Sequence, residues 1–117
     1  MITARFDYDK ESGSISMDVK GHAGFAELGK DPVCAGASVL AMTVAQSVKF
    51  LEEEGKLRKQ AHLVIRNGRT LVVAVPKEEH YFETLHTFFV GETGMQLLAA
   101  SYPESVQLTP FVTSDMT

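Results

Sequence analysis

The chain has 117 residues, of which 44% are hydrophobic and 22% charged, and its formal net charge is −4. This length predicts one domain that buries a core without disulfides or metal, and the acidic balance argues against nonspecific binding of nucleic acid. No run of about 18 apolar residues occurs, so we expect no membrane span. The lack of a signal-peptide pattern and the single cysteine together predict a cytoplasmic protein.

The N-terminal third predicts a hairpin that is followed by a long loop. Apolar and polar residues alternate over residues 2–8 and again over 15–19, with a turn between them. Residues 21–32 carry three glycines and show no period. A loop of this length is unusual in a compact domain and suggests a functional role.

A helix is predicted next, because apolar residues recur at intervals of three and four. Asp31 suits the N-cap, Pro32 the first helical position and Gly55 the stop after the helix. The apolar positions are Val33, Ala37, Leu40, Ala41, Val44, Val48 and Leu51.

The C-terminal half predicts a second hairpin, a second helical region and a last strand. Strands at 61–66 and 69–75 flank Asn67-Gly68, a strong hairpin signal. Residues 78–101 are predicted to be helical, and Gly91 and Gly94 leave open whether they form one helix or two. Residues 105–109 predict the last strand.

The predicted fold class is therefore α+β, with the order ββαββαβ and two helices packed on a mixed sheet. We assign residues 1–109 to this single domain and expect residues 110–117 to form a loose tail.

Cys34 falls in the first turn of the predicted helix, where backbone N–H groups and the helix dipole favour a thiolate. A helix terminus contributes about 0.3–1 kcal/mol, whereas lowering a thiol pKa by two units requires about 2.7 kcal/mol. A cationic partner is therefore needed, and His22, at the end of the second strand, is the candidate. The N–H groups at the helix start could also stabilise an oxyanion.

Each of these residues also has a purely structural interpretation. A lone cysteine in a helix is usually a small core residue, and a histidine after a strand is usually surface. Asp31 is fully explained as a cap, and the hydroxyl of Ser38, one turn after Cys34, most often bonds back to the preceding turn. Gly36 indicates either tight packing or room for a substrate.

Other signals are weaker. His62, His80 and His86 have no metal-ligand spacing with Cys34, so we predict no metal and no cofactor. Residues 56–69 are basic and contain no acid, which indicates a solvated face more than an RNA contact.

The pattern Gly-His-Ala followed, after a glycine-containing loop, by Asp-x-x-Cys-Ala-x-x-Ser resembles the bacterial ribosomal-processing cysteine proteases, the Prp family. Here it runs from Gly21 to Ser38, and Cys34 lies twelve positions after His22. The chain length and the element order resemble the family as well. One departure is Gly36, where an alanine is common.

The resemblance implies an endopeptidase that removes the short apolar N-terminal extension of large-subunit ribosomal protein twenty-seven, cutting after a pair of phenylalanines. It implies Cys34 as nucleophile and His22 as general base and acid, with Asp31 as helix cap or orienting group for the histidine and Ser38 in a supporting position. A homodimer and a mobile loop between histidine and cysteine are also implied.

The loop supplies the candidate residues for substrate binding. Gly21, Gly24 and Gly29 allow it to flex or to approach a substrate closely. Phe25 and Leu28 either line an apolar groove for the aromatic end of the substrate, as part of a lid, or anchor the loop to the core.

Two alternatives belong to other functional classes. A ribosome-associated module would use the basic stretch at 56–69 to bind RNA or protein without catalysis. A thiol sensor would oxidise Cys34 and, lacking a second cysteine, would need an external thiol to reset it.

Overall fold

The computed structural model describes residues 1–22, 24, 26–27 and 29–112. In this part of the chain the strands and long helices are β1 (Ile2–Tyr8), β2 (Ile15–Gly21), α1 (Pro32–Glu53), β3 (His62–Arg66), β4 (Arg69–Ala74), α2 (Tyr81–Ser101) and β5 (Val106–Thr109). A short 3-10 helix, Glu78–His80, leads into α2. The predicted order ββαββαβ is confirmed, with strand ends that differ by at most two residues from the sequence prediction.

The strands form one mixed sheet in the order β3-β4-β2-β1-β5. The β1–β5 pair is parallel and the other neighbouring pairs are antiparallel. Phe6 lies opposite Met17, which lies opposite Val72, and all three are fully buried. Because cross-strand partners share a face, the apolar residues form one continuous surface, and both helices pack on it in a shared core.

Helix α1 begins and ends where the sequence predicted. Asp31 is the N-cap, Pro32 opens the helix, and Gly55 follows the C-cap with φ +75°. That left-handed conformation is the one in which glycine ends helices at least cost. The buried residues of α1 are Val33, Ala37, Ala41, Val44, Ala45, Val48 and Leu51.

By length and composition alone, α1 is also apolar enough to cross a membrane, since its 22 residues include a window with a mean hydropathy of 1.4. A core helix passes the same test, and the buried face of α1 belongs to the core shared with the sheet. The expectation that the chain has no membrane span stays a prediction.

The second helical region is one α-helix after its 3-10 turn, which answers the question that Gly91 and Gly94 had left open. Both glycines face α1. A Cβ on Gly91 would collide with Cγ2 of Val44, and a Cβ on Gly94 with Cδ2 of Leu40. The glycines therefore mark where the two helices approach most closely, and they do not break α2.

The prediction of a loose tail from Pro110 is wrong for the part that the structure describes. Phe111 is 6% exposed, and its ring centroid lies 5.5 Å from that of Phe6 and 5.2 Å from that of Phe89. Its backbone N–H donates a 2.7 Å hydrogen bond to Oε2 of the buried Glu92. Phe111, an apolar residue after β5, therefore belongs to the core. Residues 113–117 lie outside the described part.

Candidate active site

Cys34 is half-buried in the first turn of α1. The side chain of Asp31 holds this turn, since its Oδ1 accepts hydrogen bonds from the N–H groups of Val33 at 2.9 Å and Cys34 at 3.2 Å. The placement of the thiol at the start of a helix, predicted from Asp31 and Pro32, is confirmed.

Asp31 is 5% exposed and does more than cap the helix. Its Oδ2 accepts a 3.1 Å hydrogen bond from the N–H of Ala26, inside the loop that joins β2 to α1. One carboxylate therefore fixes the helix start with one oxygen and ties the loop to it with the other. The alternative role of Asp31, orienting His22, stays a prediction.

The first-turn N–H groups of α1 already have hydrogen-bond acceptors within the chain, which bears on the expected oxyanion site. Val33 and Cys34 donate to the Asp31 side chain, and Ala35 donates to the Asp31 carbonyl at 3.0 Å. Pro32 has no N–H. The expectation that these groups would stabilise an oxyanion is therefore not supported, because each donor is engaged within the chain.

His22 follows the last residue of β2, and its side chain is exposed at the end of the sheet. The preceding residue, Gly21, has φ +99°, and a Cβ there would collide with the carbonyl oxygen of Met1. Gly21 also donates a 2.9 Å hydrogen bond to the carbonyl of Gly68. Glycine before this histidine is thus required by a close backbone approach as well as by a left-handed conformation.

Cys34 and His22 line one cavity of about 380 Å³. Ser38 lines it too, and its exposed hydroxyl makes no hydrogen bond with the part of the chain that the structure describes, so the expected back-bond to the preceding turn is absent. The other lining residues are Ile2, Val19, Gly21, Ala37, Ala41, Met42, Ile65, Arg66, Asn67, Gly68, Arg69 and Thr70. The fold therefore brings the nucleophile and base candidates to one side of the molecule.

Of the remaining candidates in the loop before α1, the structure describes the two glycines but not the two large apolar residues. Gly24 and Gly29 are exposed with φ +68° and +89°, and a Cβ on either would meet no atom of the described residues within 4 Å. Phe25 and Leu28 lie outside the described residues, so their two interpretations stay open.

Sequence reasoning missed the β3–β4 turn as part of this site. Residues 65–70 form one side of the cavity, and Gly68 lies beside the imidazole of His22. The Asn67-Gly68 signal predicted the turn itself, but its place next to His22 depends on the pairing of β2 with β4, in which Lys20 lies opposite Arg69. No local pattern encodes that pairing.

The basic stretch at 56–69 is partly neutralised by acids from elsewhere in the chain. Lys56 Nζ lies 2.8 Å from Oε2 of Glu83 and 3.5 Å from Oε1 of Glu54, and the hydrogen bond to Glu83 raises the pKa of Lys56. Arg69 donates to both carboxylate oxygens of Asp18, at 3.0 and 2.9 Å, which raises the pKa of Arg69. Both pairs lessen the positive charge that an RNA contact would require.

No group of three or more metal-ligating side chains occurs within the described ranges. At the cavity, Cys34 supplies a thiol and His22 an imidazole.

The family model described as "Cysteine protease Prp" matches residues 1–107 of this chain. The chain belongs to this family. It is thus a cysteine protease, as the pattern around His22 and Cys34 implied. No curated protein matches the chain.

Solved structures show the same fold as this Prp-family chain. The essential ribosomal processing protease Prp from S. aureus, with a covalently linked product peptide, is 21% identical with a TM-score of 0.73, covering 96% of this chain and all of that chain. The same protease with a substrate peptide is 20% identical with a TM-score of 0.68 and equal coverage. SMU.848 from Streptococcus mutans is 25% identical with a TM-score of 0.66, covering 96% of this chain and 94% of that one.

Proposed function

We propose that this cysteine protease processes a ribosomal protein. It removes the short apolar N-terminal extension of large-subunit ribosomal protein twenty-seven by cutting after a pair of phenylalanines. The observation that carries the proposal is the shared cavity of Cys34 and His22 at the start of α1, in a chain of the Prp family. The ribosomal processing function and bound peptides of the S. aureus relative support this substrate class.

In the proposed mechanism, the Cys34 thiolate attacks the carbonyl carbon of the second phenylalanine. The tetrahedral intermediate collapses as His22 donates a proton to the amine of the mature ribosomal protein, which leaves. A water molecule, deprotonated by His22, then hydrolyses the acyl-enzyme and releases the extension. Asp31 supports this chemistry indirectly, because it holds Cys34 and the loop in place.

The cavity offers an apolar surface for the aromatic end of the extension. Met42 on α1 and Ile65 on β3 line it and are 45% and 47% exposed. Solvent-exposed apolar side chains beside a nucleophile favour an apolar peptide over a charged one. We therefore propose Met42 and Ile65 as docking residues, and the roles offered to Phe25 and Leu28 stay predictions.

The first test is mass spectrometry of a peptide that contains the apolar extension, the two phenylalanines and several downstream residues. We expect one cut after the second phenylalanine, and no cut by Cys34→Ala or His22→Ala. A substrate in which both phenylalanines are replaced by alanine is the control for sequence specificity. Cleavage by Cys34→Ala would contradict the nucleophile assignment.

Absence of any cut by the unaltered chain, with the peptide and with the extended ribosomal protein, would contradict the proposed substrate. Salt-sensitive binding to ribosomal particles that survives Cys34→Ala would then favour the binding module. Sulfenic acid formation on Cys34 at low peroxide would favour the thiol sensor.

The apolar docking surface has its own test. Met42→Asp introduces a charge into the cavity, and we expect kcat/KM for the extended peptide to fall about tenfold or more, mainly through a higher KM. Val39→Asp is the matched control, because Val39 is 66% exposed on the same helix and does not line the cavity. Equal losses in both variants would exclude a specific role for Met42.

We also propose that the chain acts in the cytoplasm as a homodimer, as the resemblance to the family implies. Exposed apolar side chains on both helices, such as Phe50 and Leu97, support an interface. Light scattering at micromolar concentration that reports a monomer would contradict the dimer, and cell fractionation tests the compartment.

A further inference from the structure

The turn between β3 and β4 lies directly beside the catalytic histidine. Arg69, the first residue of β4, is paired with Lys20 of β2, and Gly21 donates a 2.9 Å hydrogen bond to the carbonyl of Gly68. The turn is thus fixed to the residue that precedes His22. The imidazole of His22 lies against this turn.

The contact with the imidazole is made at Gly68. A Cβ built on this glycine would lie 3.3 Å from both Cε1 and Nε2 of His22. This spacing is shorter than ordinary van der Waals contact between carbon atoms, so any side chain at position 68 would push the ring away by a few tenths of an ångström. The absence of a side chain lets the ring edge rest on the turn.

Gly68 also has a conformational requirement, which must be separated from its contact with the ring. Its φ is +74°, and Asn67 before it has φ 47°, as a tight two-residue hairpin turn demands. Gly13, in the β1–β2 connection, has the same φ of +74°. Within the part of the chain that the structure describes, a Cβ on Gly13 would meet only the guanidinium Nη2 of Arg58, at 3.9 Å.

We propose that Gly68 is a positioning residue for catalysis, which sets where the His22 imidazole lies relative to Cys34. The inference rests on the proposed role of His22 and adds the β3–β4 turn to the machinery of the site. Displacement of a catalytic group by a fraction of an ångström reduces the rate of the chemical step more than it reduces substrate binding.

The experiment compares Gly68→Ala with Gly13→Ala, which imposes a similar backbone cost at the opposite end of β2. We expect Gly68→Ala to lower kcat for the extended peptide by about 3- to 10-fold relative to Gly13→Ala, with little change in KM. Gly68→Asn is the second variant, because asparagine tolerates the left-handed conformation yet still carries a Cβ. Gly68→Asn should reproduce the loss in kcat of Gly68→Ala, with a smaller loss in thermal stability than Gly68→Ala shows.

A second readout does not depend on the activity. The ¹H–¹⁵N spectrum of the histidine side chains reports the environment of the His22 ring, whose signals are assigned by their absence in His22→Ala. We expect these signals to shift in Gly68→Ala and Gly68→Asn and to stay in place in Gly13→Ala. If the unaltered chain cuts no peptide, the proposed function fails, while this spectrum still decides the position of the ring.

Two results would overturn the inference. One is an equal loss of kcat in Gly68→Ala and Gly13→Ala. The other is an unshifted His22 signal in both position-68 variants. Either would show that Gly68 serves the turn alone.

Discussion

At the scale of single residues, Asp31 links the architecture of the helix to the chemistry beside it. Its Oδ1 accepts hydrogen bonds from two N–H groups of α1, and its Oδ2 accepts one from the N–H of Ala26. Because it is nearly buried, the loss of either oxygen leaves donors without a partner. The same side chain that marks the helix start in the sequence therefore also fixes the approach of the loop to Cys34.

The separate hydrogen bonds of the two Asp31 oxygens predict different outcomes for two substitutions of this residue. Asp31→Ala removes the cap and should lower the free energy of unfolding by about 1–2 kcal/mol. Asp31→Asn retains one acceptor oxygen for Val33 and Cys34 and loses the acceptor for Ala26, so stability should fall less while kcat/KM falls clearly. Urea unfolding and peptide cleavage measure the two effects, and equal stability losses would contradict the separate roles.

Tyr81 gives a prediction for alkaline pH. Burial, followed by its hydrogen bond with Tyr8, raises the pKa of Tyr81 from 10.0 to about 12. The folded state therefore holds the phenol proton of Tyr81 more tightly than the unfolded state does. The contribution of Tyr81 to the free energy of unfolding is complete below about pH 10 and is lost as the pH rises towards 12. Tyr81→Phe should therefore flatten the decline of unfolding free energy over this range.

Urea unfolding at about one-unit pH steps from 9 to 12 measures this decline. Tyr102→Phe is the control, because it removes a phenol at the other end of α2. The same slope in the unaltered chain and in Tyr81→Phe would contradict the assignment.

At the scale of elements, the contact between α1 and α2 determines how tightly the helices cover the sheet. Gly91 faces the Cγ2 atom of Val44, which is β-branched and stiff, whereas Gly94 faces the flexible end of Leu40. Among the described residues, a Cβ on Gly36 would meet only Cδ1 of Leu98, at 3.6 Å. Tight packing therefore requires glycine at 91, favours it at 94 and does not require it at 36.

The three glycines should respond in this order. Gly91→Ala should lower the free energy of unfolding by about 1–3 kcal/mol through overpacking, and Gly94→Ala should lower it less. Gly36→Ala should raise it by about 0.5–1 kcal/mol, because alanine has the higher helix propensity. Thermal unfolding of the three variants tests the order, and a destabilised Gly36→Ala would show that position 36 is crowded.

At the scale of the whole molecule, the residues after β5 close one end of the core. Phe111 packs on Phe6 of β1 and Phe89 of α2, so it joins the sheet to the helical layer. Its N–H also satisfies the buried carboxylate of Glu92. This arrangement makes the segment after Pro110 part of the folded unit as far as Phe111.

Phe111→Ala should therefore lower the free energy of unfolding by about 3 kcal/mol or more, the usual cost of removing a buried phenylalanine. Val112→Ala is the matched control, since Val112 is 56% exposed and its truncation should change stability by less than about 0.5 kcal/mol. Urea unfolding monitored by circular dichroism measures both. A similar stability for the two variants would contradict the packing of Phe111.

The sequence by itself determined the features that depend on neighbouring residues. Alternating apolar residues predicted the strands, Asp31-Pro32 predicted the start of α1, and Asn67-Gly68 predicted a turn, because each depends on local dihedral preferences and periodicity. The placement of Cys34 in the first helical turn follows from the same local signals. The motif that contains it also indicated the family.

Only the tertiary structure decided which distant residues meet. The pairing of β2 with β4 brings Gly68 to His22, and the packing of α1 on α2 explains Gly91. The burial of Phe111 and the hydrogen bond from Ala26 to Asp31 were likewise outside local reasoning. Strand register and helix contact depend on the free energy of the whole core, so no short stretch of sequence specifies them alone.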